Sequence, residues 1–541
     1  MQLIDAALDR LYLMLNGSAR NRGASPDAIA MTIALTLAII AFGFELTNPT
    51  LGIDDVSFLA VPFRWEEFWV ARGSWGALLV QYLTPGGWIT PFISLVIGIL
   101  LQLLAVVVIG WSLELRTLPP MQQALLYALF VVFPYFACQM AFHYVQIAYS
   151  LATFLMACGV LLALAGDAIR AVCAALAIGF AISIYQGSLS VLAPLALLAP
   201  FAGGGKEKKE IVRRSRRVLL AVLAGGGIYL ATHKLILAIT GIVAKSQYYS
   251  VSFDWHFWER LRFIRSEIEF LFLGAGNVIP AKVVAIFLLA ALLWMLHAVA
   301  RERGALRRLQ WLALYLVLAA LLVVSPFMVL FVHDGQLAPR SSVGVAVVWI
   351  ALFASMLAAS SIWIRRAGTA CLGVVILFFL FQDNRMFFSQ HLITRADIIM
   401  MARIAERIDQ LGVRSDAGAT DVVFIGQYSQ PEYEGMPRFS GAALGHSQFE
   451  WELNGDDARW RIRGLAKAIG VDHYAWPGSS DLGEAFHDPL LLRDRQPWPH
   501  SSSVFAHDGY AVVWLGHRRE ESRSAPLQVW FDAVMWNLFG V

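Results

Sequence analysis

Long apolar runs alternate with short polar breaks from residue 28 to about 382, and then the chain changes character. A helix that crosses a bilayer needs about 20 mostly apolar residues. Runs of that kind lie near 28–47, 88–111, 122–140, 146–165, 169–186, 188–203, 218–241, 281–300, 311–332, 343–361 and 367–382. The pattern predicts about eleven transmembrane helices. Only Tyr185-Gln186-Gly187 separates the fifth run from the sixth, which leaves almost no turn. Residues 48–87 mix aromatic and charged positions: Phe63, Phe68 and Trp69 stand beside Arg64, Glu66 and Glu67. Residues 242–280 do the same, with Tyr248, Tyr249, Trp255, Phe257 and Trp258 ahead of Arg260, Arg262 and Arg265. Both stretches read as interfacial helices, which lie in the membrane surface rather than cross it.

Beyond residue 383 the sequence turns polar, with Pro and Gly punctuation. Helical spacing over Ala396–Leu411 and Asp457–Ile469 alternates with strand-like runs at Asp421–Ile425 and Tyr510–Leu515. The expected organisation is a transmembrane domain over 1–382 and a small soluble C-terminal α/β domain over 383–541.

Composition sharpens this picture. The chain is 58% hydrophobic and only 15% charged, against about 25% charged for soluble domains. This is the composition of a polytopic α-helical membrane protein. A net charge of +3 gives no reason to expect nucleic acid as a partner. The polar first 27 residues do not resemble a cleavable signal. Basic residues are sorted by loop. Lys206, Lys208, Lys209, Arg213, Arg214, Arg216 and Arg217 share one loop, Arg301, Arg303, Arg307 and Arg308 another, and Arg365 and Arg366 a third. With an odd number of spans these fall on the side of the N-terminus, which makes that side cytoplasmic. The loops holding Asp54, His143, Gln186, Lys245 and Arg340 are then outside, and the tail is periplasmic. All four cysteines, Cys138, Cys158, Cys173 and Cys371, lie in apolar runs, so neither a disulfide framework nor a thiolate metal site is expected.

The candidate chemistry centres on Gly52-Ile53-Asp54-Asp55-Val56-Ser57-Phe58, just past the first run. A tandem carboxylate there reads either as a helix N-terminal cap or as a general base for an acceptor hydroxyl. In an extended segment Asp54 and Asp55 would point to opposite sides, one toward substrate and one toward the fold or a cation. Arg72 and Arg340 are candidates to grip an anionic phosphate through the guanidinium fork. The alternatives are snorkelling for Arg340 and pairing with Glu66 or Glu67 for Arg72. Lys245 and Tyr248 could serve the same donor. His143, Tyr185 and Gln186 belong to a set of polar side chains at the outer ends of spans, where such groups usually face a cavity. No histidine spacing of the metal-binding kind occurs. The carboxylates could hold one divalent ion, but no cofactor is required. The run Gly225-Gly226-Gly227 sits inside a span and is read as a close-packing site.

The order of these pieces resembles the bacterial glucosyl transferase II membrane family, within the GT-C superfamily. The residues that carry the resemblance are IDD, Arg72-Gly73-Ser74-Trp75, ISIYQGSLS (Ile182–Ser190), Ala338-Pro339-Arg340 and, after the last span, FQDNRMFFSQ. It covers roughly residues 28–410 and not the tail beyond. It implies a GT-C-like helix bundle and a polyprenyl-phosphate-linked hexose donor such as undecaprenyl phosphate glucose. It also implies a catalytic acid from the first outer loop, hence Asp54 as base. On that reading the chain is an inner-membrane, multi-pass glycosyltransferase acting on a periplasmic glycan such as the O-antigen of lipopolysaccharide. The alternatives are a flippase of lipid-linked sugars, which should carry ionisable groups deep in its spans, and a polymerase or ligase of surface polysaccharide.

Overall fold

A computed structural model describes residues 26–60, 65–84, 89–202, 207–243, 278–301, 338–413, 420–430, 439, 444–450, 456–471, 473–476 and 489–516. The first long helix, α1 (Pro26–Thr47), is followed by three short ones, α2 (Ile53–Ala60), α3 (Trp65–Ala71) and α4 (Trp75–Leu83). Then come α5 (Pro91–Ser112), α6 (Pro120–Val131), α7 (Pro134–Met140), α8 (Gln146–Ala165), α9 (Ala168–Ile184), α10 (Leu189–Leu198) and α11 (Lys208–Thr240). Among the described residues, α12 (Ala281–Arg301) is followed by a 3-10 turn at Pro339–Ser341, which leads into α13 (Val345–Leu357) and the long α14 (Ile362–Gln410).

Local sequence explains several boundaries. Pro91, Pro120 and Pro134 each open a helix, where the missing N–H costs nothing and φ is already set. Pro134 also divides the expected 122–140 span into α6 and α7, bent by 47°, because proline cannot continue the hydrogen-bond ladder. Asp167 caps α9 by accepting the Arg170 N–H at 2.9 Å, which lets the chain reverse immediately after α8. Of the three tandem glycines in α11, Gly225 lies against Ile178 and the Ala175 carbonyl of α9, whereas Gly226 and Gly227 face open space. The close packing expected there therefore occurs at one glycine.

Five of the described helices are long and apolar enough to cross a membrane, or six if α6 and α7 form one bent span. The expected run 311–332 lies outside the described residues. The others coincide with helices, of which α9, α10 and α13 are short. Of residues 48–87, expected to be interfacial, the described ones include α2, α3 and α4, and the second such stretch, 242–280, lies almost entirely outside the described residues. The division expected at residue 383 falls inside α14, which continues unbroken to Gln410.

The bundle core is apolar and tightly filled around Trp349, which stacks on Phe287 and meets Phe133 and Phe379. Ionisable groups gather at both of its ends. At one end Asp27 accepts hydrogen bonds from the Trp111 indole and the Arg116 guanidinium, both at 3.0 Å. Nearby, Arg214 at the start of α11 pairs with Glu114 at 3.5 Å. The other end of α1 carries Glu45, and beside it lie Asp54 and Asp55.

Beyond α14 the chain builds a four-stranded sheet in the order β2 (Tyr474–Ala475), β1 (Thr420–Gly426), β4 (Tyr510–Gly516), β3 (Val504–His507). β1 is parallel to both β2 and β4, and β3 is antiparallel to β4. A further helix, α15 (Asp456–Ala468), lies between β1 and β2 in sequence. Val422, Phe424, Val513 and Leu515 form a buried layer with Met401, Ile404 and Ile408 of α14. Asp397 of α14 ties the following loop down, accepting from the Ser447 hydroxyl and the Gln448 N–H at 2.7 Å. Trp476, partly buried, stacks on Phe424 at the edge of this core, whereas Trp514 is buried on the other face of β4 from Val513 and Leu515.

Candidate active site

The acidic pair is not extended. Asp54 and Asp55 occupy the first turn of α2, where carboxylates satisfy the free N–H groups and the helix dipole. Helical geometry separates their fates. Asp55 is fully buried, and its carboxylate accepts the Gly52 N–H at 3.0 Å, the Tyr144 N–H at 3.1 Å and the His143 N–H at 3.3 Å. It fastens the start of α2 to the turn ahead of α8. Burial raises its pKa to about 6, against the opposing pull of His143 and the three backbone donors. Asp54 keeps 34% of its side chain exposed. Of the pair, it is the carboxylate that a substrate can reach.

His143, expected to face substrate, is turned inward and 1% exposed. Its Nε2 lies 2.6 Å from the Thr50 carbonyl and 3.1 Å from Glu45 Oε1. The Glu45 carboxylate also accepts from the Thr50 N–H at 2.9 Å. Burial alone would discharge the ring, but the Glu45 hydrogen bond, the Asp55 and Glu45 charges and the Thr50 carbonyl outweigh it and raise the pKa to about 9. One contact argues otherwise. Nδ1 lies 2.9 Å from the Gln146 amide, whose nitrogen also meets the Met140 carbonyl, an arrangement that suits an unprotonated Nδ1. The charge argument is stronger, because a neutral ring would leave two buried carboxylates without a cation.

The remaining candidates sort into those beside Asp54 and those that hold the frame. Arg340, in the 3-10 turn, sets its guanidinium 4.5 Å from the centre of the Phe142 ring. The half-buried Tyr144 phenol lies within electrostatic reach of Asp54, Tyr149, Asp55 and Arg340 together, so Arg340 and the acidic pair converge on one locality. Tyr185 stacks on Tyr149 at 3.8 Å between centroids and exchanges a 2.8 Å hydrogen bond with Ser341, which anchors the turn that carries Arg340. Gln186 clamps the Arg72-Gly73-Ser74 turn. Its amide donates to the Arg72 carbonyl at 3.2 Å and its oxygen accepts from the Ser74 hydroxyl at 3.1 Å. Tyr185 and Gln186, expected to face substrate, thus use their polar atoms on the fold. The Arg72 guanidinium lies over the Phe68 ring at 3.8 Å. Lys245 and Tyr248 lie outside the described residues. A small cleft behind Tyr144 is lined by Val80, Gln81, Thr84, Ser94, His143 and Ile147.

Three further ionisable groups, Glu45, Asp383 and Arg461, are given no role by the sequence pattern. Glu45 lies two residues before the end of α1. Asp383 in α14 is fully buried with neither oxygen hydrogen-bonded, and it shares an electrostatic neighbour, Cys138, with Arg340. Its signal was available: an acid in the apolar run FQDNRMFF, where an ionisable group has to be explained. Arg461 of α15 approaches Asp54 Oδ1 at 3.9 Å. No local pattern could announce that, because the contact spans most of the chain. Among the described residues no cluster of His, Cys, Asp and Glu has the geometry of a metal site.

The described chain thus combines apolar helices long enough to cross a membrane with a partly exposed carboxylate and an arginine gathered near the end of α1. The sequence model of the family described as Glucosyl transferase GtrII matches residues 43–358. The chain belongs to that glucosyl transferase family, and the matched segment includes Asp54, Tyr144 and Arg340. No curated protein and no solved structure matches the chain.

Proposed function

We propose that this protein transfers a hexose, most simply glucose, from a polyprenyl-phosphate carrier to a glycan on the far side of the inner membrane, such as an O-antigen. The observation that carries the reading is that Arg340, over the Phe142 ring, and the acidic pair, fastened through Asp55 to the N–H groups of His143 and Tyr144, meet on one short turn. The acceptor oxygen attacks the anomeric carbon, its proton passes to Asp54, and the bond from that carbon to the phosphate oxygen breaks. The polyprenyl phosphate leaves with the electron pair. A positioned base of this kind supplies about 10²–10⁴-fold. Arg340 would neutralise the leaving phosphate, the charge that grows as the bond breaks. Because the donor is already activated, the reaction needs no nucleotide. The orientation is supported by charge: the basic start of α11 lies at the Asp27 and Glu114 end of the bundle, away from Asp54.

The test supplies membranes or purified protein with radiolabelled polyprenyl-phosphate glucose and isolated glycan acceptor. Label should enter the glycan, and a nucleotide-linked glucose should not replace the lipid donor. Transfer from the nucleotide sugar without lipid carrier would overturn the donor assignment. The flippase reading draws on Asp383, an ionisable group buried in a long apolar helix. It predicts movement of the lipid-linked sugar across vesicles with no new glycosidic bond.

A further inference from the structure

The helix α15 is almost 400 residues from α2 in sequence, yet the two pack against each other. Gly464 makes this approach possible. A Cβ at that position would stand 1.7 Å from the Val56 carbonyl oxygen, so only glycine lets the helices meet so closely. Three residues earlier, on the same helical face, Arg461 is 17% exposed and brings a guanidinium nitrogen to 3.9 Å from Asp54 Oδ1. The close contact and the charge contact fall on consecutive turns, one fixing the distance at which the other acts.

We propose that α15 completes the active site from the C-terminal part of the chain, with Arg461 as a positioning residue that orients the Asp54 carboxylate toward the acceptor hydroxyl. The proposal rests on Asp54 as the base. Asp54 stands in the first turn of a short helix and remains partly exposed, so its own helix leaves the rotation of the carboxylate open. A guanidinium at the contact distance of an ion pair limits that rotation, and a planar fork does so better than a point charge. Arg461 needs no contact with donor or acceptor for this, and its loss should appear in turnover rather than in donor binding.

The experiment uses the full-length protein in lipid nanodiscs with polyprenyl-phosphate glucose and isolated glycan. Arg461→Gln should lower kcat between about tenfold and 100-fold, the scale of a small misplacement of a reacting group, with donor KM unchanged. Arg461→Lys should recover part of the loss. Gly464→Ala changes no charge and favours the helix itself, so a fall in kcat with the melting temperature maintained would trace the effect to helix approach. In an Asp54→Asn background, Arg461→Gln should cost nothing further. Wild-type or higher turnover in Arg461→Gln overturns the proposal, as does an equal fall with and without the Asp54 carboxylate. Inactive Asp54→Asn beside fully active Arg461→Gln removes this inference alone, whereas active Asp54→Asn removes the base assignment and the inference with it.

Discussion

The His143 imidazole lies 3.1 Å from the Glu45 carboxylate, and both side chains are completely shielded from solvent. This pair joins the end of α1 to the turn before α8, and Asp55 closes the same knot from α2 through the backbone of His143 and Tyr144. The acidic loop is therefore held by one carboxylate of the tandem pair so that the other can be presented.

This knot makes stability depend on pH. The His143 pKa is about 9 in the fold against 6.5 for the free side chain, so its contribution is complete below about pH 6.5 and is lost as pH rises through 9. Asp55, raised from 3.8 to about 6 by burial, also loses its contribution as pH rises, over the lower window between those values. The melting temperature of the protein in nanodiscs should fall between pH 7 and 10. That fall should vanish in His143→Gln, and a flat wild-type profile would show that the ring does not charge on folding.

The two aspartates should separate activity from stability. Asp54→Asn is expected to cut transfer by about 10²–10⁴-fold with little change in melting temperature. Asp55→Ala strands three backbone donors and should cost about 1–3 kcal/mol of stability, with any activity loss following the unfolded fraction. Thermal melts and transfer rates on the same preparations distinguish the pair. Near-normal transfer by Asp54→Asn would end its assignment as base.

Arg340→Lys keeps the charge and loses both the fork and much of the contact with Phe142. The expected result is a donor KM raised about tenfold, in line with a loss of about 1–2 kcal/mol. Unchanged dependence on donor concentration would mean that the arginine only packs.

Asp383 offers the opposite trade. A buried acid with no hydrogen-bond partner destabilises the fold, so Asp383→Leu should stabilise it by about 1–2 kcal/mol. If Asp383 is kept for function, transfer should fall as the melting temperature rises. Activity retained in a stabilised variant would show that it is dispensable.

Apolar runs and turn residues mark most of the described helices, helical spacing marks α15, and short strand-like runs mark β1 and β4, because these signals are local. Neighbouring positions could not show how the paired acids divide their roles. Of the two readings of the pair, a helix N-terminus and an extended segment, the chain takes the first: Gly52-Ile53-Asp54-Asp55 starts a helix, where Asp55 accepts the Gly52 N–H. His143, Tyr185 and Gln186 stand out in the sequence as polar groups near span ends and are expected to face a cavity or substrate, but their partners in the fold, Glu45, Ser341 and Ser74, come from other parts of the chain. Strands β2 and β3 were too short to carry a period. The Arg461–Asp54 contact depends entirely on tertiary folding.

The 49-residue helix α14 is about 74 Å long at 1.5 Å per residue, more than twice the hydrocarbon thickness of a bilayer, about 30 Å. It acts as a strut. Phe379 is packed in the bundle and Ile404 beneath the sheet, on one uninterrupted rod. A tail hung on a flexible tether could swing out to collect an acceptor and carry it back. One mounted on this rod keeps its place relative to the bundle, so under the proposed function an acceptor would have to come to the enzyme rather than be fetched by the tail.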